Sequence, residues 1–172
     1  GNIPLYGIST LEMLQENLSF LQNPIHVLLD ARRGQVYTAS YRLGQCISPE
    51  RAVSIEALLA FAKEQEGQQI FLGDGIFPYR KQIEESLGKE RCLFPNPQNA
   101  LQRAASLALL GEKKKAEGLE AGFHLEYLRK PQAEREKEAG VLKDFQIVQE
   151  EAYKDLGKTR DKLIAKNYPI HE

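Results

Sequence analysis

The residue types that could carry chemistry gather in two short segments. In "VLLDARRGQVYTASYRL", residues 27–43, an apolar run ends on Asp30, turns through Ala31, Arg32, Arg33 and Gly34, and restarts as an alternating strand. A carboxylate at a strand end, followed by backbone amides and a glycine, can cradle a phosphate or hold a metal-bound water. The two guanidinium groups could add charge-assisted contacts to phosphate oxygens. The same residues also describe an ordinary polar turn whose aspartate caps nearby amides. The second segment, "FLGDGI", places Gly73, Asp74 and Gly75 at the end of a buried strand. Glycines there let a ligand or another backbone approach closely. The G-x-G does not extend to G-x-G-x-x-G, and no G-x-x-x-x-G-K-[ST] loop occurs anywhere. A plain strand-to-helix turn therefore fits the second segment as well as a ligand site does.

Other chemistries find less support. No G-x-S-x-G nucleophile elbow is present, and no serine or cysteine is matched to a histidine by a defensible spacing. His26, His124 and His171 are scattered, with no second histidine at i+3 or i+4, so zinc ligation is not expected. Cys46 and Cys92 lack a C-x-x-C spacing and read as two small buried apolar side chains in a reducing cytosol. Glu84-Glu85 and Glu150-Glu151 read as exposed helix faces. Basic residues beside tyrosines, in "YRK" and "YLRK", could serve a single-stranded RNA surface but read more simply as solvated surface. No catalytic machinery, cofactor or metal is implied.

The two segments must be positioned by the elements around them. "GISTLEMLQENLSFLQN" predicts a helix opened by the Ser9-Glu12 capping box, with Leu11, Leu14, Leu18 and Leu21 on one face and Pro24 closing it. "IHVLLDA" and "QVYTASYRL" predict a hairpin turned at Arg33-Gly34, its first strand central and its second half-exposed. A poorer strand is expected around Cys46 and Ile47, ending before Pro49. "SIEALLAFAKEQEG" predicts a helix capped by Ser54, and "QQIFLGDG" a strand. "FPYRKQIEESLG" predicts a helix stopped at Gly88, and "RCLF" a short buried strand. "NPQNALQRAASLALLG" predicts one helix from the Asn96 cap to the Gly111 stop. Strands alternating with helices in the second half argue for parallel pairing, and the hairpin adds an antiparallel part. The expected fold class is α/β, a mixed sheet flanked by helices.

Charge gives no global signal, since 23 Lys and Arg stand against 24 Asp and Glu. Neither a nucleic-acid binder nor a membrane-surface protein is marked by that balance. No apolar run approaches the length of a membrane span, and no secretory signal pattern opens the chain. Beyond Gly111 charged residues become more frequent and apolar spacing weakens. Two parts are expected: a folded domain over 1–130 and a charged, partly helical tail over 131–172, where Phe145, Val148, Ala152 and Leu156 could form one helix face.

Taken together, "PLYGISTLEML", "LLDARRGQVYTASY", "FLGDGI" and "FHLEYLRKPQAE" resemble the second half of the bacterial TsaB (YeaZ) family. The D-A-R-R-G-Q-V-Y block is the most specific element, with Gln35 standing where the family usually has glutamate. The resemblance implies a ribonuclease-H-like lobe of the actin, Hsp70 and sugar-kinase superfamily. It implies a cytoplasmic, non-catalytic partner of TsaD, the transferase that makes threonylcarbamoyladenosine in tRNA, with the ATPase TsaE joining them. tRNA would be met only through the complex, a homodimer is possible, and no membrane is involved. Carried onto this sequence, Asp30, Ala31, Arg32, Arg33 and Gly34 correspond to a phosphate-facing turn, and Gly73, Asp74 and Gly75 to an adenosine-side turn, both degenerate. A full family member also has a first lobe ahead of "PLYGIST", which this sequence does not include. Two enzyme readings stand beside it: an ATP-binding phosphotransferase or ATPase lobe, and a glycoprotease-like peptidase that would need clustered histidines. A third treats the charged tail as an interaction module.

Overall fold

In the computed structural model, residues 4–119 are described, together with Gly122 and Leu128. The expectations placed on residues 131–172 lie outside the described residues. Helix α1 (Thr10–Glu16) begins where Ser9 Oγ accepts the Leu11 N–H at 3.1 Å. Glu12, the other half of the expected box, directs its carboxylate to Lys114 Nζ at 3.6 Å. The helix ends at Glu16, short of the expected span, but Leu18 stays buried in the turns that follow.

Five strands then build one mixed sheet in the order β3-β2-β1-β4-β5. The central strand β1 (Ile25–Asp30) pairs antiparallel with β2 (Gln35–Arg42), which pairs antiparallel with β3 (Gln45–Ser54). On its other side β1 runs parallel to β4 (Gln69–Leu72), and β4 parallel to β5 (Cys92–Leu93). The fully buried start of β1, apolar except for His26, fits this central place, because its two faces are both covered.

Strand β3 departs from expectation. It runs for 10 residues and passes through Pro49 rather than stopping before it. The reason is its position at the sheet edge, where a proline can leave its missing N–H on the unpaired side. Register shifts at Thr38/Ser40 and Ser40/Tyr41 accompany that stretch.

Helices close both faces. Helix α2 (Ile55–Glu64) starts where Ser54 Oγ accepts the Ala57 N–H, and α3 (Ile76–Leu87) follows β4 directly. Their Ile55, Leu58, Ala62, Ile83 and Leu87 pack on Leu28, Val36 and Phe71 of the sheet. On the opposite face Leu11, Leu14 and Leu18 cover Ile25, Val27, Ala39 and Leu72. The alternation of Val27 and Leu28 between the two cores is the period-2 rule of a strand applied to a strand buried on both sides.

The single helix expected from Asn96 to Gly111 is two helices, α4 (Pro97–Ala100) and α5 (Ala104–Ala116). Asn96 caps the first as expected, its side chain accepting the Asn99 N–H. The break at residues 101–103 comes from a distant side chain, since Asn17 Nδ2 donates to the carbonyls of Asn99 and Leu101, each at 2.9 Å. Gly111 lies inside α5 rather than past its end.

Candidate functional site

The two candidate segments meet at the carboxyl ends of β1 and β4, the adjacent parallel strands at the centre of the sheet. On one side of β1 the chain departs into the hairpin, and on the other α3 begins. Such a place, where connections leave a sheet in opposite directions, is where α/β folds commonly bind ligands.

The Asp30–Gly34 turn is unusually wound. Arg32, Arg33 and Gly34 have φ of 63°, 53° and 73°, three consecutive left-handed residues of which only the last is a glycine. Left-handed backbone costs a non-glycine residue about 1 kcal/mol. The turn is held by Ala31 N–H to the Gln35 carbonyl at 3.0 Å and Gln35 N–H to the Arg32 carbonyl at 3.1 Å. Asp30 Oδ1 accepts the Arg32 N–H at 2.8 Å, and Asp30 Oδ2 lies 3.4 Å from the Arg32 guanidinium. Both carboxylate oxygens thus face groups of the turn itself. The Gly34 carbonyl accepts the first amide of α2, from Ile55, so the turn also anchors that helix.

The glycines of the second segment have a direct steric cause. A Cβ on Gly73 would stand 2.3 Å from the Leu28 carbonyl oxygen, and one on Gly75 would stand 2.9 Å from it. Gly75 N–H donates to that same carbonyl at 3.0 Å. The close approach anticipated from the sequence is therefore made by β1 itself. Between the two glycines, Asp74 Oδ1 accepts the Asp30 N–H at 3.0 Å, which ties the segments together. Phe77, the second residue of α3, is 87% exposed at the same end of the sheet.

Among the described residues, no group of three or more His, Cys, Asp or Glu gathers as a metal site, and no helix is long and apolar enough to cross a membrane. Ala31 is buried, whereas Arg32, Arg33 and Asp74 are exposed. All eight residues expected at the two turns thus fall within one connected corner, most of whose polar groups bind one another.

One polar cluster escaped the sequence reading. His26, fully buried in β1, has Nδ1 2.8 Å from Ser40 Oγ and Nε2 2.8 Å from Gln69 Oε1. Gln69 Nε2 donates to the carbonyls of Ala62 and Gln65, which fixes its oxygen toward the ring. Nε2–H of His26 therefore donates to Gln69, and Nδ1 accepts from the Ser40 hydroxyl. Burial pushes this imidazole down to about 4, against a partial upward pull from Gln69. A lone histidine in an apolar strand carries no signal of such partners, because they come from strands remote in sequence.

Residues 1–137 match the family described as "TsaD: tRNA N6-adenosine threonylcarbamoyltransferase". The "tRNA threonylcarbamoyladenosine biosynthesis protein TsaB" of Bacillus subtilis (strain 168) is 33% identical over 137 residues, covering 77% of this chain and 59% of the relative. The solved structure titled "YeaZ from Pseudomonas aeruginosa" superposes with a TM-score of 0.53 at 20% identity, over 71% of this chain and 59% of that one. A second, titled "Crystal structure of an uncharacterized protein with similarity to peptidase YEAZ from Pseudomonas aeruginosa", gives 0.51 at 21% identity, over 73% and 59%. These structural likenesses bear on the fold, an α/β architecture with a mixed sheet flanked by helices. The chain belongs to the TsaB (YeaZ) family, and it spans about three fifths of the length of these relatives.

Proposed function

We propose that this chain is the second lobe of a TsaB-type protein and works as a non-catalytic partner of a TsaD-type transferase in making threonylcarbamoyladenosine in tRNA. The identity to the Bacillus subtilis TsaB supports the pathway. The observation that carries the non-catalytic part is the engagement of both Asp30 oxygens within their own turn, at 2.8 Å and 3.4 Å. A turn that is to hold a nucleotide phosphate or its metal must offer those groups outward. Here they stabilise a strained backbone instead. The inherited phosphate-facing turn then serves as the rigid joint between β1, β4 and the starts of α2 and α3. TsaE and a second copy of the protein belong to this reading as further partners, and tRNA is reached through the complex.

The test is light scattering after co-purification with the TsaD-type enzyme of the same organism, using this chain and a form that also carries the preceding lobe of its relatives. A complex with the longer form supports the partner reading. Its absence, with both proteins folded, would contradict it. Magnesium-dependent ATP binding lost on Asp30→Asn would instead favour a nucleotide-using lobe.

A further inference from the structure

Helix α5 is attached to the rest of the protein differently from every other long helix described. Of its 13 residues only Ser106 and Leu110 are buried, and Leu110 belongs to neither of the two apolar cores. Leu107 and Leu109 are exposed. By contrast α2, with 10 residues, buries Ile55, Leu58, Leu59 and Ala62 in one core.

Polar contacts tie α5 at both ends. Ser106 Oγ donates to Asn17 Oδ1 at 2.7 Å, while Asn17 Nδ2 donates across the break to the carbonyls of Asn99 and Leu101. One buried amide thus grips both sides of the connection at residues 101–103, whose three side chains are exposed. Farther along, Lys114 Nζ donates to the Gly7 carbonyl at 3.0 Å and faces Glu12 at 3.6 Å. Leu101 and Arg103 are extended, at φ −96°, ψ 157° and φ −120°, ψ 127°, so the helix is interrupted there by backbone geometry and not merely frayed.

We propose that α5 is a hinged helix that parts from α1 as one body, turning about residues 101–103 and the turn at Glu117–Gly118, and held shut by the Asn17 amide. Elements with few buried apolar contacts open at free energies well below global unfolding, and they do so as cooperative units. A latch of hydrogen bonds suits such an element, because each bond contributes only about 1 kcal/mol once its groups can reach water. α5 itself supplies no side chain to either apolar core; beyond it Gly122 pairs with Tyr6 and Leu128 packs against one core, so the opening is confined to the helix between residues 101–103 and the turn at Glu117–Gly118.

Native-state hydrogen exchange of the whole chain tests this, read by NMR in increasing sub-denaturing urea. Amides of 104–116 are expected to share one opening equilibrium, with weaker protection and a smaller urea slope than Ile25–Asp30 of β1. Ser106→Ala should speed exchange throughout α5 by about fivefold, the loss of one hydrogen bond, while β1 and α2 are unchanged. Ser106→Thr, which keeps the hydroxyl, should restore most of the protection. Protection of α5 equal to that of β1, a gradient of fraying from its last turn, or an equal effect of Ser106→Ala on both regions would each overturn the proposal.

Discussion

Gly73 and Gly34 separate two reasons for a glycine. At Gly73 an added Cβ meets the Leu28 carbonyl oxygen at 2.3 Å on a backbone with φ +107°. Gly73→Ala must push β4 away from β1 or break their junction, and it should destabilise the fold by about 3 kcal/mol or more. At Gly34, with φ +73°, nothing lies within 4 Å of an added Cβ. Gly34→Ala should cost only the left-handed strain, about 1 kcal/mol. Urea denaturation of the two variants checks the ordering, and equal losses would show that the contact at Leu28 is not limiting. His26 yields a pH prediction. Its folded value of about 4 lies below the ordinary 6.5, so the unfolded chain takes up the proton first as pH falls. Stability is complete above about 6.5 and declines toward 4, by an amount on the order of 3 kcal/mol. An NMR titration of the ring should find it still neutral near pH 5, whereas a midpoint near 6.5 would contradict the buried network. The need for small residues at "GDG" was legible in the sequence, but their partner was not, because Leu28 and Gly73 meet only through parallel pairing.

At the scale of elements, local signals served well wherever the cause was local. Ser9, Ser54 and Asn96 each cap the helix they precede. The strand pair around Asp30–Gly34 is in place. The misreadings have causes outside the segment concerned. Pro49 suggested a strand end, but edge placement makes it harmless. The break before α5 is imposed by Asn17, more than 80 positions earlier in the chain. A further turn shows local conflict: Leu43, with φ 50°, precedes Gly44, with φ 74°, in the tight β2–β3 hairpin. Both central residues of such a turn need positive φ, for which Asn-Gly is the favoured pair. Leu43 is also 57% exposed, so little packing is at stake. Leu43→Asn should therefore stabilise the protein by about 0.5–1 kcal/mol in thermal or urea unfolding. A loss of stability would mean that the leucine has a packing role at this tip.

For the molecule as a whole, the order β3-β2-β1-β4-β5 turns two weak motifs into one corner. Asp30 and Asp74 are 44 residues apart, and only the crossover from β1 through α2 to β4 places them side by side. Under the proposed function this corner is a structural joint, and its carboxylates take no part in threonylcarbamoyl transfer. The most direct measurement is threonylcarbamoyladenosine synthesis reconstituted with the TsaD-type enzyme of the same organism. It would compare a form of the protein as long as its relatives with its Asp30→Asn and Asp74→Asn variants. Asparagine can still accept the Arg32 and Asp30 N–H bonds while losing the charge. Rates within about twofold of the unsubstituted protein, with complex formation unchanged by light scattering, are the predicted result. A fall of about a hundredfold or more in an intact complex would contradict the account and place these carboxylates in the chemistry.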